Sequence, residues 1–302
     1  MMTNISINPS DVKIGWIGTG IMGAPMAMHL VDAGYNVSVY SRTKSKAEKL
    51  MAKGCDWHDT PAGIAEKCDI IFTIVGYPKD VEEVYFGENG IMQSLQKDAV
   101  VIDMTTTLPG LAVRIDYAAR EKGAWAVDAP VSGGEVGAIN GALSVMIGGD
   151  EEVVKKVMPI MDVFSKNMVY QGKAGSGQHT KMCNQITIAG TMIGVCESLI
   201  YGHKAGLDLE TVLSSIGGGA AACWTLDVLA PKIVHGDFEP GFMVEHFIKD
   251  LGIALEEAEQ MKLSLPGLAL AKQLYLSVMA MGKGTKGTQA LYLALEKMSG
   301  MD

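Results

Sequence analysis

KIGWIGTGIMG, residues 13–23, decides the fold. Residues 13–17 are β-prone and mostly apolar, and Gly18, Thr19, Gly20, Ile21, Met22 and Gly23 follow at once. With 36 glycines in the chain, a G-x-G-x-x-G match carries little weight by itself. Its setting carries more, because it ends a strand pattern and opens a helix pattern over residues 21–33. Gly18 suits a tight turn, Gly20 a close backbone approach to a pyrophosphate, and Gly23 close packing of helix on sheet. The free N–H groups at the helix start then point at the phosphates.

The same alternation continues beyond the loop. Strand patterns cover residues 36–40, 70–75, 100–103, 125–128 and 144–147, and amphipathic helical patterns cover 44–53 and 111–122. Strand, helix, strand at this spacing predicts βαβ units and a largely parallel, doubly wound Rossmann-type α/β domain. After Gly177 no strand pattern remains. Helical patterns run over 178–205, 209–215, 225–234, 244–261, 268–281 and 288–298. The expected organisation is a flexible tail at 1–11, a dinucleotide-binding domain at 12–176, and an all-α substrate and oligomerisation domain at 177–302. A long helix, ~40 Å at about 1.5 Å per residue, joins the two. Its small residues Ala189, Gly190 and Gly194 suit a partner subunit, so a homodimer or homotetramer is expected.

The end of the second strand addresses cofactor choice. An NAD site normally places an acid there for the ribose hydroxyls. Ser41 stands at that position, and no Asp or Glu follows until Glu48. Arg42 suits a 2′-phosphate, Thr43 adds a hydroxyl, and Lys44 and Lys46 raise the local positive potential. The reading is NADP(H) preferred, with NAD possible.

Totals exclude several function classes. A formal charge of −9 and a pI near 5.2 disfavour nucleic acid and anionic membranes. The longest near-apolar stretch, within 186–200, contains Glu197 and is too short to span a bilayer. The first residues, MMTNISINPSDVK, lack a signal-peptide pattern. Five cysteines form no C-x-x-C pair, which predicts reduced thiols in a cytoplasmic protein and no metal site.

Two mid-chain stretches carry the chemistry. DAPVSGG, residues 128–134, follows a strand and offers consecutive backbone N–H groups, a nest suited to an anionic oxygen. GKAGSGQHTKMCNQ, residues 172–185, places Lys181 near the start of the long helix, with Asn184 three residues on. A Lys-x-x-Asn alone reads as a solvated helix start. A lysine whose charged form is disfavoured by burial and by the positive helix end can instead donate a proton.

Together, GTGIMGAPMAMHL, DAPVSGGEVGAINGALSVMIGG, GKAGSGQHTKMCNQ and FIKDLGIALEEA resemble the β-hydroxyacid dehydrogenase family over residues 13–298. The family includes 3-hydroxyisobutyrate dehydrogenase, tartronate semialdehyde reductase and glyoxylate/succinic semialdehyde reductases. The resemblance implies that Lys181 is the general acid/base and that Asn184 orients the substrate. It implies that Ser132, Gly133 and Gly134 hold the substrate carboxylate, with Phe242 and Asp250 bordering the substrate. It places Thr106 and Lys249 at the cofactor, and the family's Leu-Pro cofactor contact at Val75 and Gly76. Here the sequence departs from the family, since Pro78 comes two residues late. The implied reaction interconverts a small carboxylate-bearing aldehyde and its hydroxy acid.

Two alternatives share the scaffold. Imine reductases usually replace the lysine, whereas 6-phosphogluconate dehydrogenases follow theirs with His-Asn. A non-catalytic NADP-binding interaction module would lose the lysine and gain basic segments. Residues 217–227, with Phe242 and His246, are expected to wall the pocket, and Trp224 is read as core rather than lid. His179 and His246 are read as structural or lining residues.

Overall fold

The structure is a computed structural model and describes residues 6–301. Of the tail expected at 1–11, residues 1–5 lie outside the described residues. Residues 8–12 form a turn in which Asp11 N and Val12 N donate to Asn8 O, and Val12 is buried.

The chain divides into two compact units, the first ending at Lys181 and the second beginning at Met182. The first unit is built on a nine-stranded sheet. It begins β1 (Lys13–Ile17), α1 (Gly23–Asp32), β2 (Asn36–Tyr40), α2 (Glu48–Ala52), β3 (Asp56–Trp57), α3 (Pro61–Ala65) and β4 (Ile70–Thr73). It continues α4 (Pro78–Phe86), α5 (Ile91–Ser94), β5 (Val100–Asp103), α6 (Pro109–Glu121), β6 (Trp125–Asp128), β7 (Val131–Ser132) and α7 (Gly134–Ile139). Then come β8 (Leu143–Gly149), α8 (Glu151–Met161) and β9 (Ser165–Gly172). The strand order is β3-β2-β1-β4-β5-β6-β8-β7, with β9 beside β8.

β1 to β6 are mutually parallel, and the central β1, β4 and β5 are buried along nearly their whole length, which explains their largely apolar sequences. β2 instead alternates, and the edge strand β3 is exposed or half-buried. Alternate residues feed two cores. Ile14, Trp16, Ile70, Phe72, Val100 and Ile102 pack with α1 and α8. Ile17, Ile71 and Val101 pack with α3 to α6. Trp16, Phe72 and Phe164 form an aromatic centre on the first side, with centroids 5.2–6.0 Å apart.

The ladder reverses at β8, which is antiparallel to β6 and to β7. The strand patterns at 70–75 and 144–147 correspond to β4 and to the longer β8. β3, β7 and β9 were not expected. β3 and β7 have only two residues each, and β9 is exposed along most of its length, so none shows a clear pattern. The helix expected over 44–53 is a 3-10 turn, Lys44–Ala47, followed by α2.

α9 (Ser176–Lys204) spans 29 residues, ~43 Å at about 1.5 Å per residue, and the boundary between units falls within it. The rest of the second unit is α10 (Leu209–Gly217), α11 (Ala230–Val234), α12 (Val244–Gln260), α13 (Pro266–Ala280) and α14 (Leu291–Met298). A π-helical turn, Thr225–Leu229, leads into α11. Phe247 and Tyr275 meet edge to face at 5.0 Å in the core, and the Tyr275 hydroxyl donates to Thr288 O. Trp224 is 59% exposed, which corrects its reading as core. It stands where the chain enters the π-helical turn, before the buried Thr225 and Leu226. Among the described residues no helix is long and apolar enough to cross a membrane.

Candidate active site

The loop after β1 has the shape that the glycines predict. Gly18 adopts φ +101°, and a β-carbon there would fall 2.0 Å from Ile74 O. A β-carbon on Gly23 would fall 1.9 Å from Gly18 O. These two glycines are therefore required by the fold itself. Gly20 differs, because nothing lies within 4 Å of the place its β-carbon would take. Thr19 Oγ1 is buried without a hydrogen-bond partner, although Thr19 sits in the same loop. An open approach at Gly20 and an orphaned hydroxyl beside it fit a dinucleotide phosphate held at the α1 N-terminus. Ile21 is exposed and Met22 half-buried at the loop's end.

At the end of β2, Ser41 is half-buried and Arg42 and Thr43 are exposed. Arg42 Nη1 lies 3.3 Å from Asp80 Oδ1. The other oxygen, Asp80 Oδ2, accepts the backbone N–H of Tyr77 in the first turn of α4. Lys44 Nζ stands 5.0 Å over the Trp57 ring. Across the loop, Val75 N donates to Thr105 Oγ1, Gly76 is half-buried, and Pro78 opens α4. The late proline is thus a helix start, where a missing N–H costs nothing.

The C-terminal ends of β5 and β6 carry two buried acids. Asp103 Oδ1 accepts from Thr73 Oγ1 and Thr105 N, and burial pushes its carboxyl up to about 6. Burial also raises Asp128, while backbone N–H groups oppose the shift. Asp128 accepts from Gly175 N at 2.8 Å and Gln178 N at 2.9 Å. The Gln178 side chain accepts from Thr107 N at 3.0 Å and donates to Thr105 O at 2.7 Å. Thr106 is half-buried between them. Ser132 is half-buried, and Gly133 and Gly134 both take positive φ, 131° and 61°.

Lys181 lies one turn into α9 and is only 6% exposed. A solvated helix start is therefore excluded. Asn184, on the same helix three residues on, donates through Nδ2 to Gln185 Oε1 at 2.7 Å. Gln185 is 1% exposed and donates in turn to Asp250 Oδ2 at 2.6 Å. Lys249 Nζ lies 3.0 Å from Asp250 Oδ1. Asp250 is 1% exposed, so Lys249 and Asp250 are not an exposed helix pair. Phe242 is exposed and stacks on His246, whose imidazole is held below its ordinary range by burial and then by Lys249. Sequence reasoning missed Gln178 and Gln185. Their only signal was an uncharged amide at i−3 and i+4 from Lys181, on the lysine's own helix face. Among the described residues no three His, Cys, Asp or Glu side chains gather as a metal site.

Two family models divide the chain. Residues 13–172 match the NAD-binding domain of 6-phosphogluconate dehydrogenase. Residues 175–295 match the NAD-binding region of NADP-dependent 3-hydroxyisobutyrate dehydrogenase. The chain is 38% identical over 288 residues to 2-hydroxy-3-oxopropionate reductase of Escherichia coli, covering 95% of this chain and 98% of that one.

The chain belongs to the β-hydroxyacid dehydrogenase family.

A further relative, an uncharacterized oxidoreductase of Bacillus subtilis, is 55% identical over 279 residues, covering 92% of this chain and 97% of that one. The solved 3-hydroxyisobutyrate dehydrogenase of Mycobacterium tuberculosis, with L-serine, superposes with a TM-score of 0.87 at 26% identity. That match covers 94% of this chain and 99% of the other. This β-hydroxyacid dehydrogenase relative is thus an oxidoreductase on an NAD(P)-binding scaffold.

Proposed function

We propose that the protein reduces a small carboxylate-bearing aldehyde to its hydroxy acid with NADPH, reversibly, using Lys181 as general acid/base. The observation that carries this is a lysine only 6% exposed, one turn into α9, on the unit that also holds the dinucleotide loop.

NADPH, when bound, would supply the hydride equivalent for the carbonyl carbon. Lys181 Nζ gives its proton to the carbonyl oxygen, so the product is an alcohol and the lysine is left neutral. In the reverse direction the neutral amine takes the proton back. Ser132, Gly133 and Gly134 present the nest for the substrate carboxylate. Asn184 orients the substrate beside Lys181, and its own amide is held by Gln185, which Asp250 holds in turn. Phe242 borders the substrate.

Gly18 to Gly23 and Thr106 would hold the cofactor, with Val75, Gly76 and Lys249 as the further contacts that the family resemblance implies. Arg42, Ser41 and Thr43 favour a 2′-phosphate, so NADPH is preferred and NADH accepted less well. The NADP-dependent description of the second family model supports this choice. The names of the relatives support a substrate class of short hydroxy acids. The small residues of α9 make a homodimer or homotetramer the expected assembly.

The experiment is a turnover assay with glyoxylate, succinic, methylmalonate and tartronate semialdehydes, each with NADPH and with NADH. Turnover of one or more acids, faster with NADPH, is expected. Binding of NADPH with no turnover of any member would favour an interaction module.

A further inference from the structure

The first turn of α9 is fastened to the sheet by groups that the reaction itself does not need. A helix leaves its first N–H groups without intrahelical partners, and a nearby surface side chain usually serves them. Here the acceptor is Asp128, 47 and 50 residues upstream of its two donors. Its oxygens take the N–H groups of Gly175 and Gln178 in a site where Asp128 is 3% exposed. Gln178, fully buried, closes a second pair of bonds to Thr105 O and Thr107 N beyond β5. Four buried hydrogen bonds thus join residues 175–178 to the ends of two strands.

Space for them is reserved. A β-carbon on Gly177 would fall 2.4 Å from Met146 O and 2.7 Å from Asp128 O. One on Gly148 would fall 2.5 Å from Asp128 Oδ1. Neither position tolerates a side chain without moving the carboxylate or the helix. A buried carboxylate is a costly cap, since burial disfavours its charge. The positive end of α9 and two N–H donors offset that cost.

We propose that Asp128 and Gln178 are positioning residues that fix Lys181 relative to the segment carrying Ser132, Gly133 and Gly134. This rests on the reading of Lys181 as proton donor. Lys181 follows Gln178 by three residues, less than one turn, and a helix rises only about 1.5 Å per residue. Holding residues 175–178 therefore holds the lysine's backbone. Asp128 also begins the 128–134 segment, so one carboxylate ties the donor's helix to the candidate anion nest. Proton transfer is sensitive to such placement, where a shift of ~1 Å costs about 100-fold.

The test uses the full chain with Asp128→Asn, Gln178→Met and Lys181→Ala in parallel. Functional sites are counted by NADPH fluorescence titration, and kcat and KM are measured with the best semialdehyde of the panel. Asp128→Asn keeps shape but loses the second acceptor, and Gln178→Met keeps volume but loses both side-chain bonds. The expected result is a fall of at least tenfold in kcat per NADPH site for each, with the NADPH Kd within twofold of the parent. Parental kcat per site in both variants, with Lys181→Ala inactive, would overturn the positioning role alone. A loss of activity matched by an equal loss of NADPH sites would overturn it too, since the contacts would then serve stability only. Should Asp128→Asn fail to fold, Gln178→Met decides by the same criteria. An active Lys181→Ala would instead sink the underlying reading, whatever the other variants do.

Discussion

Gln185 Nε2 donates to Asp250 Oδ2 at 2.6 Å while Gln185 Oε1 accepts from Asn184. One buried amide thus relays between an acid on α12 and the asparagine that follows Lys181. Gln185→Met removes the relay and leaves the buried Asp250 short of a donor. The expected cost is ~1.5–3 kcal/mol in urea unfolding, with kcat/KM for the semialdehyde lowered at least fivefold and the NADPH Kd unchanged. Unchanged kcat/KM would show that Asn184 needs no such support.

The two kinds of glycine in the phosphate loop separate folding from binding. Gly20→Ala meets no atom within 4 Å, so its stability is expected to stay within about 0.5 kcal/mol of the parent. Its NADPH Kd is expected to rise at least tenfold, because the added methyl stands where the pyrophosphate approaches. Gly23→Ala collides with Gly18 O and is expected to lose ~3 kcal/mol or more. Calorimetry and fluorescence titration of both variants check the contrast. Equal loss of stability in the two would refute it.

Arg42 is exposed and tethered by Asp80 at 3.3 Å. Arg42→Ala is expected to lower kcat/KM for NADPH about tenfold, a loss of ~1.4 kcal/mol typical of one charge-assisted bond, and to leave NADH nearly unchanged. The NADPH loss should shrink as salt is raised. Equal losses with both cofactors would remove Arg42 from cofactor choice.

Asp103 gives a pH signature. Burial raises its folded value from 3.8 to about 6, so between these values the folded chain keeps a proton that the unfolded chain has released. Its stabilising contribution is complete below about pH 4 and is lost as pH rises through about 6. Asp103→Asn mimics the protonated form and cannot ionise. Its stability relative to the parent is expected to improve by on the order of 1–3 kcal/mol from pH 4 to pH 7.5. Urea unfolding at the two pH values reads this directly, and a flat difference would contradict it.

Much of this architecture was legible because it rests on local rules. β1, β4 and β5 are apolar on both faces, and Gly18, Gly20 and Gly23 occupy positions set by turn and packing geometry. α12 shows its periodicity and matches its expected span to within one residue. The hidden parts depend on partners far away in sequence. β9 is polar along most of its length and becomes a strand by pairing with β8. Trp224 is apolar yet exposed, which no local pattern marks. Lys181 and Asn184 took their roles from the family resemblance, since their type and spacing alone read as a solvated helix start, whereas Gln178 and Gln185 acquire meaning only through Thr105, Thr107 and Asp250.

The central claim is that Lys181 supplies the proton. The most direct measurement is kcat for Lys181→Ala beside the NADPH Kd of the same preparation. A fall of about 10²–10⁴-fold in kcat, with the NADPH Kd within twofold of the parent, is the predicted result. A Lys181→Ala enzyme that keeps most of its turnover with the preferred semialdehyde would contradict it.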